Sequence, residues 1–258
     1  MMPVRNVPLS FHVGTLDPAR RSSAKDSLEG PCLSVSHCPF AWRRIAKLGN
    51  APLQAMRFTG DQDRALFLDV LAIERGAPLF QDIVGWGTRN GLVSEKTMFK
   101  AWEFDTETEE WRYSLHVTPE VAREELEALN PNEALAAPDG HEPIEPATIL
   151  AGTPALEARV QHARLDQIDA FDFLALVWAM ETQPQLLGIW WTETYDPDAL
   201  SAPRGGVFPD RLPQFLRATV PTAIEDSPMA MLGDPLLLDA DGTLRLPPWK
   251  RPRKGARP

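Results

Sequence analysis

Residues 9–39 read "LSFHVGTLDPARRSSAKDSLEGPCLSVSHCP". Two short alternating runs bracket a polar stretch here, "LSFHV" at 9–13 and "CLSVS" at 32–36, with β-branched Val13, Thr15 and Val35 among them. Asp17-Pro18 and Gly30-Pro31 punctuate the interval, so the pattern predicts two short strands joined by a long loop. The next residues, "PFAWRRIAKLG" at 39–49, place Phe40, Ala41, Ile45 and Leu48 at near-helical spacing between Pro39 and Gly49. Proline at a helix start and glycine past its end are a helix signature. A chain that opens strand, loop, strand, helix calls for a mixed fold.

The remainder supports that expectation. "ALFLDVLAI" at 65–73 suits either a buried strand or a helix, which periodicity alone does not separate. "TMFKAWEFD" and "EWRYSLHVT" flank the polar "TETE" and predict a hairpin, since Phe99, Trp102 and Phe104, then Trp111, Tyr113 and Leu115, supply strand-favouring side chains. "EVAREELEAL" reads as an amphipathic helix, and the Pro-rich, acidic stretch near 130–146 as a mobile loop. "ALEARVQHARL" and "DAFDFLALVWAMET" read as helices, the second capped by Asp169 or Asp172 and ended by Pro184. "LLGIWWTETY" switches to a strand, and "PRGGVFPDRLPQFLRATV" adds one more through a Gly-rich turn. The expected architecture is a single α+β domain over 1–246, with strands at both ends of the sequence and helices between, followed by a basic flexible tail over 247–258.

Composition narrows the function classes. With 258 residues and 43% hydrophobic content the chain can bury a large core. The formal net charge of −10 disfavours nucleic-acid binding by the whole surface, because phosphates are repelled. Residues 250–258, "KRPRKGARP", depart from that average and could serve either as a solvated arm or as a phosphate or partner contact. "MMPVRNVPLSFHVG" lacks the order of a secretory signal, and no apolar run approaches the ~20 residues a bilayer needs. A soluble, cytoplasmic protein without membrane contact is the expectation. Cys32 and Cys38, with His37 between them, are too few for a disulfide framework. They could offer three zinc ligands, but the spacing is not a recognised one and adjacent His37 and Cys38 diverge, so no metal site is expected.

The residues that could carry chemistry lie near the two ends. His12 and the pair Ser34 and Ser36 sit on the early strands; Glu193 follows Trp190 and Trp191, ahead of Tyr195, Asp196, Ser201 and Arg204. A carboxylate beside large aromatic surfaces can be held in one rotamer, as a charge-stabilising catalyst requires. By alternation along this strand Trp191, Glu193 and Tyr195 share one face, and Trp190, Thr192 and Thr194 the other. His12 is equally well explained as a structural histidine, and "WWTETY" as an edge strand packing its indoles on the core.

"FHVGTL", then "SLEGPCLSVS", a helix with Trp42, and much later "GIWWTETYDPDALSAPRGGVF" together resemble the ADP-ribosyltransferase superfamily. That resemblance implies a split β-sheet core with flanking helices around an NAD cleft, with NAD as substrate, an unknown macromolecular acceptor (protein or nucleic acid), and in toxin-like members an inhibitor protein. It implies His12 and Thr15 against the adenosine ribose and backbone of NAD, Ser34 at the nicotinamide ribose and Ser36 supporting the strand. Glu193 would be the catalytic carboxylate, with Arg204 binding pyrophosphate; Glu29 and ring stacking by Phe40 or Trp42 are lesser candidates. Trp191 stands where the family's paired acid or amide would sit, which argues against arginine as the acceptor. The rival class is a noncatalytic interaction protein, which would separate these residues or bury Glu193 against a cation such as Arg204. A nucleic-acid-associated protein using the basic tail is a third.

Overall fold

The computed structural model describes residues 1–15, 29–39, 42–43, 46–49, 51–106, 109–129, 135–193, 202–219, 237–238 and 244–245. In chain order the strands are β1 (Val4–Asn6), β2 (Leu9–Val13), β3 (Leu33–Ser36), β4 (Leu53–Phe58), β5 (Leu66–Asp69), β6 (Val93–Asp105), β7 (Glu110–His116), β8 (Ile144–Gly152), β9 (Gly188–Trp191), β10 (Arg204–Val207), β11 (Phe215–Thr219), β12 (Leu237–Leu238) and β13 (Leu244–Arg245). The helices are α1 (Pro78–Arg89), α2 (Pro119–Leu129), α3 (Pro154–Val160) and α4 (Phe171–Thr182). The protein is therefore mixed α+β with a large sheet and several helices. The chain divides into two compact units, Met1–Gln81 with Leu176–Pro258, and Asp82–Ala175.

The first unit is built on an eight-stranded sheet in the order β1-β5-β9-β10-β3-β2-β4-β11. Every pairing in it is antiparallel except β5 with β9. Bridged residues carry their side chains on the same face and successive residues alternate, so register assigns the faces. Trp191, Arg204, Ser36, Phe11 and Ala55 form one row. Trp190, Gly205 and Val35 point the other way. That second face holds the main apolar cluster, with Leu33, Val35, Met56, Phe58, Phe67, Trp190, Val207 and Phe215 buried together. Phe11, Val13, Leu53 and Ala55 cluster on the first face, with Leu9 and Trp42 packed against them. Trp190 and Trp191 are both buried. Each large apolar side chain enclosed in this way contributes on the order of 2 kcal/mol.

The ambiguous run at 65–73 resolves as a strand because β5 lies between β1 and β9 and buries Phe67 and Leu68 on its two faces. The glycines of "PRGG" are not a turn. Gly205 and Gly206 lie inside β10, where a Cβ on Gly205 would stand 2.4 Å from Trp190 Cε3 and one on Gly206 would stand 2.7 Å from Cys32 Cβ. Glycine is required there by close packing across the strand, a demand that local sequence cannot announce. In the region predicted to be helical after Pro39, Trp42 N–H donates to Cys38 O at 2.9 Å and Ala46 N–H to Trp42 O at 2.8 Å, the i to i+4 spacing of helical turns.

The second unit carries the predicted hairpin. β6 pairs with β7 from Phe99↔His116 to Asp105↔Glu110, and β8 flanks β6 on its other side. α2 covers one face of this sheet, burying Ala122 and Leu126 with Ala101, against Phe99 and Ile144. Of the stretch predicted as a loop near 130–146, residues 144–146 instead open β8, where Ile144, Glu145 and Pro146 bridge Ala101, Lys100 and Phe99, and 130–134 lie outside the described residues. The helix predicted from Ala155 ends at Val160, where Gln161 turns into the left-handed region at φ 55°. Asp169 caps α4 as expected, its carboxylate accepting from Phe171 N–H at 3.1 Å. Among the described residues no helix is long and apolar enough to cross a membrane.

Candidate functional site

The sheet order sets the four strands that carry the candidate residues side by side, β9, β10, β3 and β2. β2 and β3 are joined through a single bridge, Phe11↔Ser36. Beyond it the imidazole of His12 takes the place of the ladder. Nδ1 lies 2.8 Å from Ser34 O, and since a carbonyl only accepts, Nδ1–H is the donor. Nε2 lies 3.3 Å from Thr15 O. His12 is buried, and the pleat sends its side chain to the face opposite the hydroxyls of Ser34 and Ser36. His12 and Ser34 are thus on neighbouring strands and in contact through backbone, but their side chains do not open on one side of the sheet.

The other candidates share the opposite face. Ser36 Oγ donates to Pro203 O at 2.5 Å and accepts from Cys38 N–H at 2.9 Å, fixing the end of β3 to the segment entering β10. Ser34 Oγ donates to Glu29 Oε1 at 3.4 Å, and Glu29 is almost fully buried. Arg204, next to Ser36 in register, donates from Nη2 to Glu193 Oε1 at 2.9 Å, with the two side chains 18% and 20% exposed. Its guanidinium lies over two indoles, 5.4 Å from the Trp42 centroid and 5.7 Å from that of Trp191. Cation–π contacts of this kind hold an arginine in place. Arg204 Nε is buried and has no hydrogen-bond partner among the described residues. β9 ends at Trp191, so Glu193 lies two residues past the strand and alternation does not decide its direction; Arg204 does. Tyr195, Asp196, Ser201 and Phe40 lie outside the described residues.

A second polar group on the other face was not legible beforehand. Arg5 Nη1 donates to Thr192 Oγ1 at 3.2 Å, and Thr192 Oγ1 donates to Asp69 Oδ2 at 2.5 Å. His37 stacks on Trp190 with ring centroids 4.5 Å apart. Burial, then the positive charge of Arg5, pull its pKa from 6.5 to about 4 against the opposing hydrogen bond to Leu9 backbone. His37 lies between the two cysteines in sequence, yet its ring packs on Trp190. Burial pushes the Cys32 thiol up and moves Cys38 to about 11, as expected of inert thiols in an apolar setting. Both cysteines are buried, and among the described residues no group of three or more His, Cys, Asp or Glu comes together around a possible metal position.

The His37 environment has a consequence for acid stability. The folded form takes up its proton near pH 4 and the unfolded chain near 6.5, so between those values the unfolded state binds more protons. Stability is therefore fully retained above about pH 6.5 and lost as pH falls toward 4, by on the order of 2 kcal/mol after allowance for the ring's exposed fraction. Urea midpoints measured across this range should slope for the natural protein, and the slope should flatten in His37→Asn. An equal slope in both proteins would remove His37 as its source.

Comparison with known proteins gave no match of this chain to a family model, to a curated protein or to a solved structure.

Proposed function

We propose that this protein is an NAD-using ADP-ribosyltransferase, acting in the cytoplasm on a macromolecular acceptor, with a toxin-like or effector-like role in which an inhibitor protein could restrain it. The observation that carries the reading is the grouping of Ser34, Ser36, Arg204 and Glu193 on one face around adjacent strands, beside the place where β2 and β3 part at His12. In this reading the split sheet is the ADP-ribosyltransferase-like core. Glu193 opposes the positive charge that develops on the nicotinamide ribose as the glycosidic bond breaks. Arg204 holds that carboxylate in one orientation, and its buried Nε is a donor suited to a pyrophosphate oxygen. His12 and Thr15 serve through position and backbone, since His12 Nδ1–H donates to Ser34 O while its Nε2 lies 3.3 Å from Thr15 O.

The noncatalytic reading has its own support, because Glu193 is engaged by Arg204 as an interaction protein would have it. One pair of measurements separates the two. Calorimetric titration with NAD, together with chromatographic detection of released nicotinamide, should give saturable binding and slow release without any added acceptor, water serving in its place. Wild-type protein that neither binds NAD nor releases nicotinamide with a panel of protein and nucleic-acid acceptors sinks the enzyme reading. The basic tail lies outside the described residues, and a nucleic-acid role for it rests on its sequence alone.

A further inference from the structure

We infer that the open aromatic face of the second unit docks an arginine- and lysine-rich segment of a partner protein. Register puts Lys100, Trp102 and Phe104 of β6 on one face with Tyr113 and Trp111 of β7. α2 covers the opposite face through Ala101, Phe99 and Ile144. Trp102 and Tyr113 meet edge to face at 5.1 Å and 67°, and Phe104 and Trp111 repeat the arrangement at 5.4 Å and 66°. Cross-strand ring pairs of this kind stabilise a hairpin by only ~0.2–1 kcal/mol each. They also leave Phe104 47% and Tyr113 51% exposed, so two large rings stand in water beside two half-buried ones. A contiguous apolar patch of this type on a soluble unit marks an interaction surface.

Charge selects the occupant. Residues 82–175 carry 19 acidic and seven basic side chains, a net of −12, so the whole chain's negative balance is concentrated in this unit. Its field repels nucleic acid and acidic proteins and steers cationic ones toward it. The rings already hold a cation: Lys100 Nζ sits 5.5 Å from the Trp102 centroid and 4.8 Å from that of Tyr113, tethered by Glu145 at 3.7 Å. Phe104 and Trp111 extend the same surface outward along the hairpin, where a guanidinium can stack flat on an exposed ring better than an ammonium can. This inference is independent of the NAD reading.

The test uses the full-length chain and a fluorescently labelled oligo-arginine peptide, followed by anisotropy at near-physiological salt. Saturable binding is expected, weakened about tenfold or more in Phe104→Ser/Trp111→Ser, because two stacked cation contacts and their desolvation are lost together. Phe104→Tyr/Trp111→Phe keeps both rings and should bind within about twofold of wild type. If the double serine variant does not fold, as judged by circular dichroism, the single Phe104→Ser variant should still show a weakening of about threefold. Glu124→Gln, on α2, should weaken binding by less than about twofold, through the field alone. The proposal is overturned by absence of binding, by equal binding of an oligo-citrulline peptide, or by affinity that responds to salt and ignores the ring variants. It is equally overturned if sedimentation shows wild type self-associating through this face and the serine variants monomeric.

Discussion

If the protein is the proposed NAD-using transferase, Glu193→Gln is expected to lower NAD turnover by roughly two to three orders of magnitude, the loss seen when one electrostatic stabiliser is removed from a developing charge. NAD affinity should change far less, because the carboxylate matters after the nicotinamide bond has begun to stretch. The structure refines the control for this experiment. Glu193 is paired with Arg204 at 2.9 Å and four-fifths buried, so the substitution also weakens a charged hydrogen bond. The amide oxygen of glutamine can still accept from Arg204, and a stability cost of about 1 kcal/mol is expected. Single-turnover release of nicotinamide, read beside a denaturation curve, distinguishes a folded, NAD-binding, inactive variant from a damaged one. If turnover survives the substitution, the catalytic role passes to another acid. Glu29, buried beside Ser34, is then the described candidate, and Asp196 the other.

Much of the architecture can be read from the chain because its signals are local. The alternation in "LSFHV" and "CLSVS" predicts β2 and β3, and the aromatic runs around "TETE" predict the β6–β7 hairpin. Asp169 ahead of Phe171 predicts the cap of α4. What escapes is nonlocal. Sheet order places β10 between β9 and β3, and only that order brings Arg204 to Glu193 and to the indole of Trp42. The pleat sends His12 away from Ser34, which depends on the Phe11↔Ser36 register, and a shift of one residue would have reversed it. His37 is drawn to Trp190 instead of to its cysteine neighbours for the same reason: its surroundings are set by β9, 150 residues away in the sequence.

The same nonlocal packing makes Gly205 the most demanding position in the first unit. Gly205 bridges Trp190 on one side and Val35 on the other, and its missing side chain is the space the Trp190 indole occupies. In Gly205→Ala the new Cβ would meet Trp190 Cε3 at 2.4 Å and the backbone oxygen of Ile189 at 2.6 Å. The indole can swing, but the carbonyl belongs to the β9–β10 ladder and cannot move without breaking it. Forcing this overlap into a packed core should destabilise the protein by about 3–5 kcal/mol, above the usual cost of overpacking because backbone is involved. The displaced ring also leaves His37, so the histidine should regain solvent and its pKa should climb from about 4 toward 6.5. Urea denaturation gives the first quantity, and the pH dependence of the imidazole C–H resonances gives the second. A variant as stable as wild type, with His37 still titrating near 4, would show that β10 does not need glycine there and that the Trp190 ring is not what keeps His37 neutral.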